Sequence, residues 1–303
     1  DVKLFILCSP HNPMGRVWTG DELRRMGELC ARHGVYVVSD EIHCDFAFPE
    51  HPHTVFAAAC PALAERTVVC TAPSKTFNLA GLQASNIWIP GEETRRRFRR
   101  ELSRCGFSGP NALGLKAAQA AYEGGEEWLD ACRAYLRANL DFLRAFLAER
   151  LPEIRLVEPE GTYFAWLDCS GLGLTPAALD DLVLNKAKLW LDDGSIFGVC
   201  GGQFQRVVLA CTRQTLTEAL ERELADCYRN VLDLCREYDL KSVAFCCIST
   251  GVFRFPNERA AEIAVDTVTQ WLQDHPGSVE RVIFNVFKET DKACYEKLLR
   301  SPA

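Results

Sequence analysis

No apolar run in the 303-residue sequence approaches the roughly 20 residues that a membrane-spanning helix needs, so no helical membrane anchor is expected in it. There is no excess of positive charge. Lys and Arg total 34 against 41 Asp and Glu, a net charge of -7, which argues against nucleic acid or an anionic membrane surface as the partner. The one basic run, Arg95 to Arg100, is flanked by Glu92, Glu93 and Glu101 and reads as a solvated helix face. No Cys-x-x-Cys pair occurs among the 15 scattered cysteines, so neither a disulfide framework nor a metal site is expected. The opening Asp1-Val2-Lys3 leads straight into a strand, without a signal-peptide pattern. The cysteines are accordingly expected to be reduced core thiols of a cytoplasmic protein, and the chain a piece of something longer.

Hydrophobic residues at 48% supply enough apolar material for a core of one or two domains. Leu4 to Cys8 reads as a buried strand ending in the turn Ser9-Pro10-His11-Asn12-Pro13. Thr19 with Glu22 forms a capping box, and an amphipathic helix then runs to Gly34. Val35 to Ser39, Thr67 to Cys70 and Asn86 to Ile89 read as further strands, which predicts an α/β unit with a largely parallel sheet. Ligands of such sheets lie at the carboxyl ends of the strands, where Asn12, Asp40 and Lys75 all fall. Residues 92–151 read as helical. Strands follow at Ile154 to Leu156, Tyr163 to Leu167, near Leu189 and at Arg206 to Leu209, with a helix over Pro176 to Lys186. Beyond Cys211 a long helix leads into alternating strands (Val243 to Ile248, Val282 to Phe287) and helices (Asn257 to Leu272, Asp291 to Leu299).

Taken singly, the polar residues at the strand ends have ordinary readings. Asn12 suits a turn, Asp40 a strand-end cap, His43 a loop, Lys75 a solvated charge and Arg213 a helix start. Their order changes the odds. Ser9-Pro10-His11-Asn12-Pro13-Met14-Gly15-Arg16, Ser39-Asp40-Glu41-Ile42-His43, Ser74-Lys75-Thr76-Phe77-Asn78 and Ala210-Cys211-Thr212-Arg213 together resemble the class I/II aminotransferase fold. The wording around His43 and Lys75 resembles the PatB/MalY-type cystathionine β-lyase branch, and Glu160 to Leu167 resembles the family's small-domain strand. The resemblance implies a fold-type-I pyridoxal-phosphate enzyme, with a partial cofactor-binding large domain at 1–104 and a small α+β domain at 105–222. Lys75 is implied to hold pyridoxal 5'-phosphate covalently and to act as base on the substrate α-proton. Asp40 is implied to pair with the ring nitrogen and Asn12 with the phenolic oxygen, near which His43 stands. Relatives often carry Ser or Thr three residues before the lysine and a basic residue eight after it. Ala72 and Gln83 stand there instead, which leaves the phosphate to Thr71, Ser74 and backbone groups. Arg213 is implied to grip the substrate carboxylate. The implied reaction cleaves an S-substituted cysteine to pyruvate, ammonia and a thiol, in a homodimer.

Residues 223–303 resemble the carboxyl-terminal half of a macro domain, through Lys241 to Phe245, Ile248 to Pro256 and Val282 to Phe287. There Ser249, Thr250, Gly251, Val252 and Phe253 would wrap the diphosphate of ADP-ribose with backbone N–H groups, although on its own this stretch also reads as a plain glycine turn. An aminotransferase on the same scaffold, an inactive fusion fragment and an ADP-ribose-binding module stay open as alternatives.

Overall fold

The computed structural model describes residues 2–246, 257–286 and 289–300. In chain order it has β1 (Leu4–Cys8), α1 (Gly20–His33), β2 (Tyr36–Asp40), α2 (Phe56–Ala59), β3 (Thr67–Thr71), α3 (Pro73–Thr76) and β4 (Asn86–Trp88). Helices α4 (Glu92–Arg104), α5 (Ala112–Gly124) and α6 (Glu126–Arg150) follow. Then come β5 (Arg155–Val157), β6 (Phe164–Asp168), α7 (Pro176–Asp181), β7 (Asp192–Asp193) and β8 (Phe204–Val208). The chain closes with α8 (Arg213–Glu237), β9 (Ser242–Cys246), α9 (Asn257–Asp274), β10 (Arg281–Asn285) and α10 (Glu289–Arg300). Among the described residues no helix is long and apolar enough to cross a membrane.

The chain divides into two compact units. The first comprises Asp1–Ala145, Glu153–Gly173 and Leu191–Ala210. Its first sheet has the order β1-β2-β3-β4, with β1 to β3 parallel and β4 antiparallel at the edge. The α1 crossover makes β1 and β2 parallel. Thr19 caps α1 by accepting the Glu22 N–H at 3.3 Å, while the Glu22 carboxylate accepts the Thr19 N–H at 2.8 Å, so the expected capping box is present. Gly34 ends the helix at φ 65°, a left-handed conformation that glycine adopts without a Cβ penalty. Leu23 and Cys30 on α1 pack with Leu7, Val37, Phe56 and Leu63 in one core cluster. Each large side chain buried there contributes about 1.5–3 kcal/mol.

The second sheet of this unit has the order β5-β6-β8-β7, all antiparallel. The loop before β6 ties it to the first sheet. Glu160 N–H donates to Gly15 O at 2.9 Å, Phe48 N–H to Glu160 O at 2.9 Å and Thr162 N–H to Phe46 O at 2.9 Å. Glu160 also accepts from Arg16 Nη1 at 2.5 Å and from Val17 N–H at 2.8 Å. Gly15 makes this approach possible: its φ is +75°, and a Cβ there would lie 2.6 Å from Pro159 Cβ.

The second unit comprises Phe146–Pro152, Leu174–Trp190 and Cys211–Ala303. Its β9 and β10 form a parallel pair. Tyr228, Phe245, Ala260, Ala264, Trp271 and Tyr295 belong to its core, with the Tyr228 and Phe245 rings edge to face at 4.9 Å. Trp271 Nε1 donates to Asp233 Oδ1 at 3.0 Å, which satisfies the indole inside an apolar setting. The alternating strands and helices expected of the tail are present. The turn Ser249 to Phe253 lies outside the described residues, as does Phe287 at the end of the last expected strand.

Two expectations are corrected. The strand expected near Leu189 forms three residues later, as β7. Lys188 takes a left-handed φ of 54°, and Leu189 N–H bonds Val183 O at 2.9 Å, so that stretch closes the turn after α7. Lys75 sits not in an open turn but in the single-turn helix α3, which Pro73 starts with its preset φ.

Candidate active site

The parallel pairing of β1, β2 and β3 puts their carboxyl ends on one edge, with Cys8, Asp40 and Cys70 neighbours in register. Asn12 follows β1, Asp40 is the last residue of β2, and Lys75 follows β3. The Asn12 loop is tight: His11 N–H donates to Arg16 O at 2.7 Å and Gly15 N–H to His11 O at 2.6 Å. Asp40 Oδ1 accepts the Ile42 N–H at 3.2 Å, which turns the chain sharply after the strand. Glu41, 1% exposed, anchors that turn from below. Its carboxylate accepts from Ser39 Oγ and the Phe56 N–H and meets His53 Nε2, each at 2.9 Å. A buried carboxylate needs such partners to offset its desolvation. Thr76 Oγ1 donates to Asp45 Oδ2 at 2.6 Å and fastens α3 to the same loop. Lys75 is exposed, Thr71 and Ser74 are half-buried, and Thr71 Oγ1 accepts from Asn86 Nδ2 at 3.4 Å.

Across from this edge stands Arg206, on β8. Its Nη1 donates to Asn12 Oδ1 at 2.7 Å, and its Nε and Nη2 donate to Asp192 Oδ2 at 3.0 and 2.6 Å. The guanidinium lies 4.3 Å from the Phe164 ring centroid and 4.8 Å from that of Phe197. His43 is 2% exposed and edge-on to Tyr163 and Phe164, at 5.3 and 5.7 Å. Its Nδ1 is buried with no hydrogen-bond partner among the described residues. Burial, with the charges of Lys75 and Arg206, holds its pKa down at about 4, so the imidazole is neutral at physiological pH. The next residue, Cys44, is pushed up to about 12 by burial and by Asp45 and Glu41, and stays a thiol.

This places His43 in the folding balance. Its folded pKa of about 4 lies below the ordinary 6.5, so the unfolded chain takes up the proton first as pH falls. The stability from a neutral His43 is complete above pH 6.5 and is expected to decline by up to about 3 kcal/mol on the way to pH 4. Urea unfolding at pH 7 and pH 5 measures this, and His43→Gln should flatten much of the difference.

The structure thus brings Asn12, His43 and Lys75 together, with Asp40 on the same sheet edge and Thr71 and Ser74 on the stretch leading to Lys75. Arg213 is the first residue of α8, in the second unit, and the arginine beside Asn12 is Arg206. Sequence reasoning missed Arg206. The available signal was a lone charge inside the apolar strand Phe204-Gln205-Arg206-Val207-Val208. It also missed the anchoring roles of Glu41 and Asp192.

The model for class I and II aminotransferases matches residues 1–222, and the macro-domain model matches 185–264. Cystathionine beta-lyase PatB of Bacillus subtilis (strain 168) is 45% identical over 221 residues, which are 73% of this chain and 57% of that protein. The crystal structure of cystalysin from Treponema denticola, which contains a pyridoxal 5'-phosphate cofactor, superposes with a TM-score of 0.71 at 38% identity, covering 75% of this chain and 58% of cystalysin. A probable bifunctional ADP-ribose hydrolase/ADP-ribosyltransferase of Fusarium oxysporum f. sp. cubense is 51% identical over 89 residues, 27% of this chain and 15% of that protein. The chain spans a little over half the length of the aminotransferase-type relatives it matches. By the match over 1–222, with the Asn12, Asp40 and Lys75 strand ends on one edge, the chain belongs to the class I and II aminotransferase family.

Proposed function

We propose that the chain acts as a pyridoxal-phosphate-dependent carbon–sulfur β-lyase, converting an S-substituted cysteine to pyruvate, ammonia and a thiol. The observation that carries this reading is the gathering of Asn12, His43, Lys75 and Arg206 where β1, β2 and β3 end. The cystathionine β-lyases among the relatives favour it over other reactions of the family.

The residues present fit the cofactor. The exposed Lys75 amine suits an aldehyde. Asn12, with its Oδ1 taken by Arg206, turns its N–H donors to an acceptor such as a phenolic oxygen. His43 Nδ1 is a buried polar atom still lacking a partner among the described residues. Asp40 supplies a carboxylate for the ring nitrogen, and Thr71 and Ser74 supply hydroxyls for the phosphate.

When bound, pyridoxal phosphate supplies an aldehyde for the substrate amine and an electron-poor ring that acidifies the α-proton. Lys75 Nζ takes that proton as general base. The Asp40 carboxylate keeps a proton on the ring nitrogen. Arg206 binds the α-carboxylate through the N–H on Nη1 and the N–H on Nη2 that its bonds to Asn12 and Asp192 leave over, the role the sequence resemblance suggested for Arg213. The thiolate leaves Cβ as Cα loses its proton, and hydrolysis then yields pyruvate and ammonia.

We assign residues 1–104 and 105–222 to the large and small domains of a homodimeric cytoplasmic enzyme, and 223–303 to a macro-type tail. The Fusarium relative supports a narrower second reading, ADP-ribose held by Ser249 to Phe253. Titration calorimetry with ADP-ribose tests that reading. For the lyase, the chain is incubated with pyridoxal phosphate and L-cystathionine without any keto acid. Pyruvate, ammonia and thiol in equal amounts are expected; turnover only when a keto acid is added would mean transamination instead.

A further inference from the structure

Arg206 is bonded by Asp192 and by Asn12, and Asp192 takes two of the three hydrogen bonds. β7 consists of Asp192 and Asp193 alone, and Asp192 stands directly opposite Arg206 in the β7–β8 register. Both hydrogen bonds from Nε and Nη2 land on the single oxygen Oδ2. They fix the plane of the guanidinium and leave Nη1 to Asn12. Asp193 starts the following turn. Its Oδ1 accepts the Ser195 N–H at 3.0 Å and its Oδ2 the Ser195 hydroxyl at 2.6 Å. That turn, Gly194–Phe197, carries Phe197, whose ring centroid lies 4.8 Å from the guanidinium, while that of Phe164 lies 4.3 Å from it. The Asp192 side chain is 34% exposed and that of Arg206 15%, so the ion pair is partly solvated and its contribution to folding stability is modest.

We propose that Asp192 is a positioning residue: it presets the orientation in which Arg206 receives a carboxylate. This rests on the reading of Arg206 as the carboxylate-binding residue. A second effect opposes it, because the negative charge of Asp192 also weakens the pull of Arg206 on an anion. Two variants separate orientation from charge. In Asp192→Asn one amide oxygen can still accept both hydrogen bonds while the charge is gone. In Asp192→Ala both are gone.

The test is NMR of the full chain, with and without pyridoxal phosphate, following the Arg206 Nε–H signal identified by its absence in Arg206→Lys. Propionate is the probe, since it has a carboxylate and no amine to react with Lys75. The Nε–H signal is expected to persist in the wild-type chain and in Asp192→Asn and to vanish by exchange in Asp192→Ala. Propionate is expected to bind Asp192→Asn at least as tightly as wild type, and Asp192→Ala about fivefold more weakly, the scale of reordering one free side chain. If both variants keep the signal and both bind propionate more tightly, Asp192 is a counter-charge only and the proposal falls. If propionate leaves the wild-type signal unmoved, the carboxylate-binding reading of Arg206 fails, and the Nε–H signals of the two variants still decide whether Asp192 orients it.

Discussion

Replacing Lys75 by alanine is expected to lower kcat for an S-substituted cysteine by about 10⁴-fold or more, since it removes a general base and a covalent anchor together. The fold should survive. Lys75 is exposed, and α3 is held by other means, the Pro73 start and the Thr76 hydrogen bond to Asp45. An exposed substitution of this kind usually changes stability by no more than about 0.5 kcal/mol. Steady-state kinetics alongside circular dichroism separates the two effects. Lys75→Arg is informative beside it, because it keeps the positive charge facing His43 but cannot serve as a base near neutral pH. Activity in Lys75→Arg close to wild type would place the base elsewhere.

Arg206→Ala is expected to reduce kcat/KM by roughly 10²- to 10³-fold, the cost of two charge-assisted hydrogen bonds to a carboxylate. The loss should fall mainly on KM, because the carboxylate is gripped before and during the reaction alike. Arg206→Lys should recover little. An ammonium cannot reproduce the planar fork that bonds Asp192 and Asn12 together, nor offer a planar group to the nearby Phe164 and Phe197 rings. Arg213→Ala in the same assay should have a smaller effect. If Arg213→Ala proved the more damaging, the carboxylate role would return to the residue that the sequence motif alone suggested.

The two arginines show where sequence reasoning reaches its limit. The three strand ends were legible because each is a short apolar run closed by turn residues, and a parallel α/β sheet aligns such ends without further information. The α1 boundaries were legible because Thr19, Glu22 and Gly34 act on their own neighbours. Arg206 meets Asn12 across 194 positions, and a single charge in the strand Phe204 to Val208 is all that marks it locally. Arg213 drew attention because it closes the motif Ala210 to Arg213, whereas the contact that singles out Arg206 exists only in the fold. The Glu41 and His53 pair was missed for a milder form of the same reason. Twelve residues separate them, and only the fold makes Glu41 a buried carboxylate in need of His53, Ser39 and the Phe56 N–H. The helix at Lys75 escaped notice because four residues carry no periodicity.

Cofactor capture tests the central claim most directly. The purified chain is mixed with pyridoxal phosphate, reduced with borohydride and digested, and the label is located by peptide mass spectrometry, with Lys75→Ala as control. The account predicts a label on Lys75 alone, absent from the control. No label, or one spread over Lys3, Lys116 and other surface lysines equally in both proteins, would contradict it and remove the enzyme assignment for this chain.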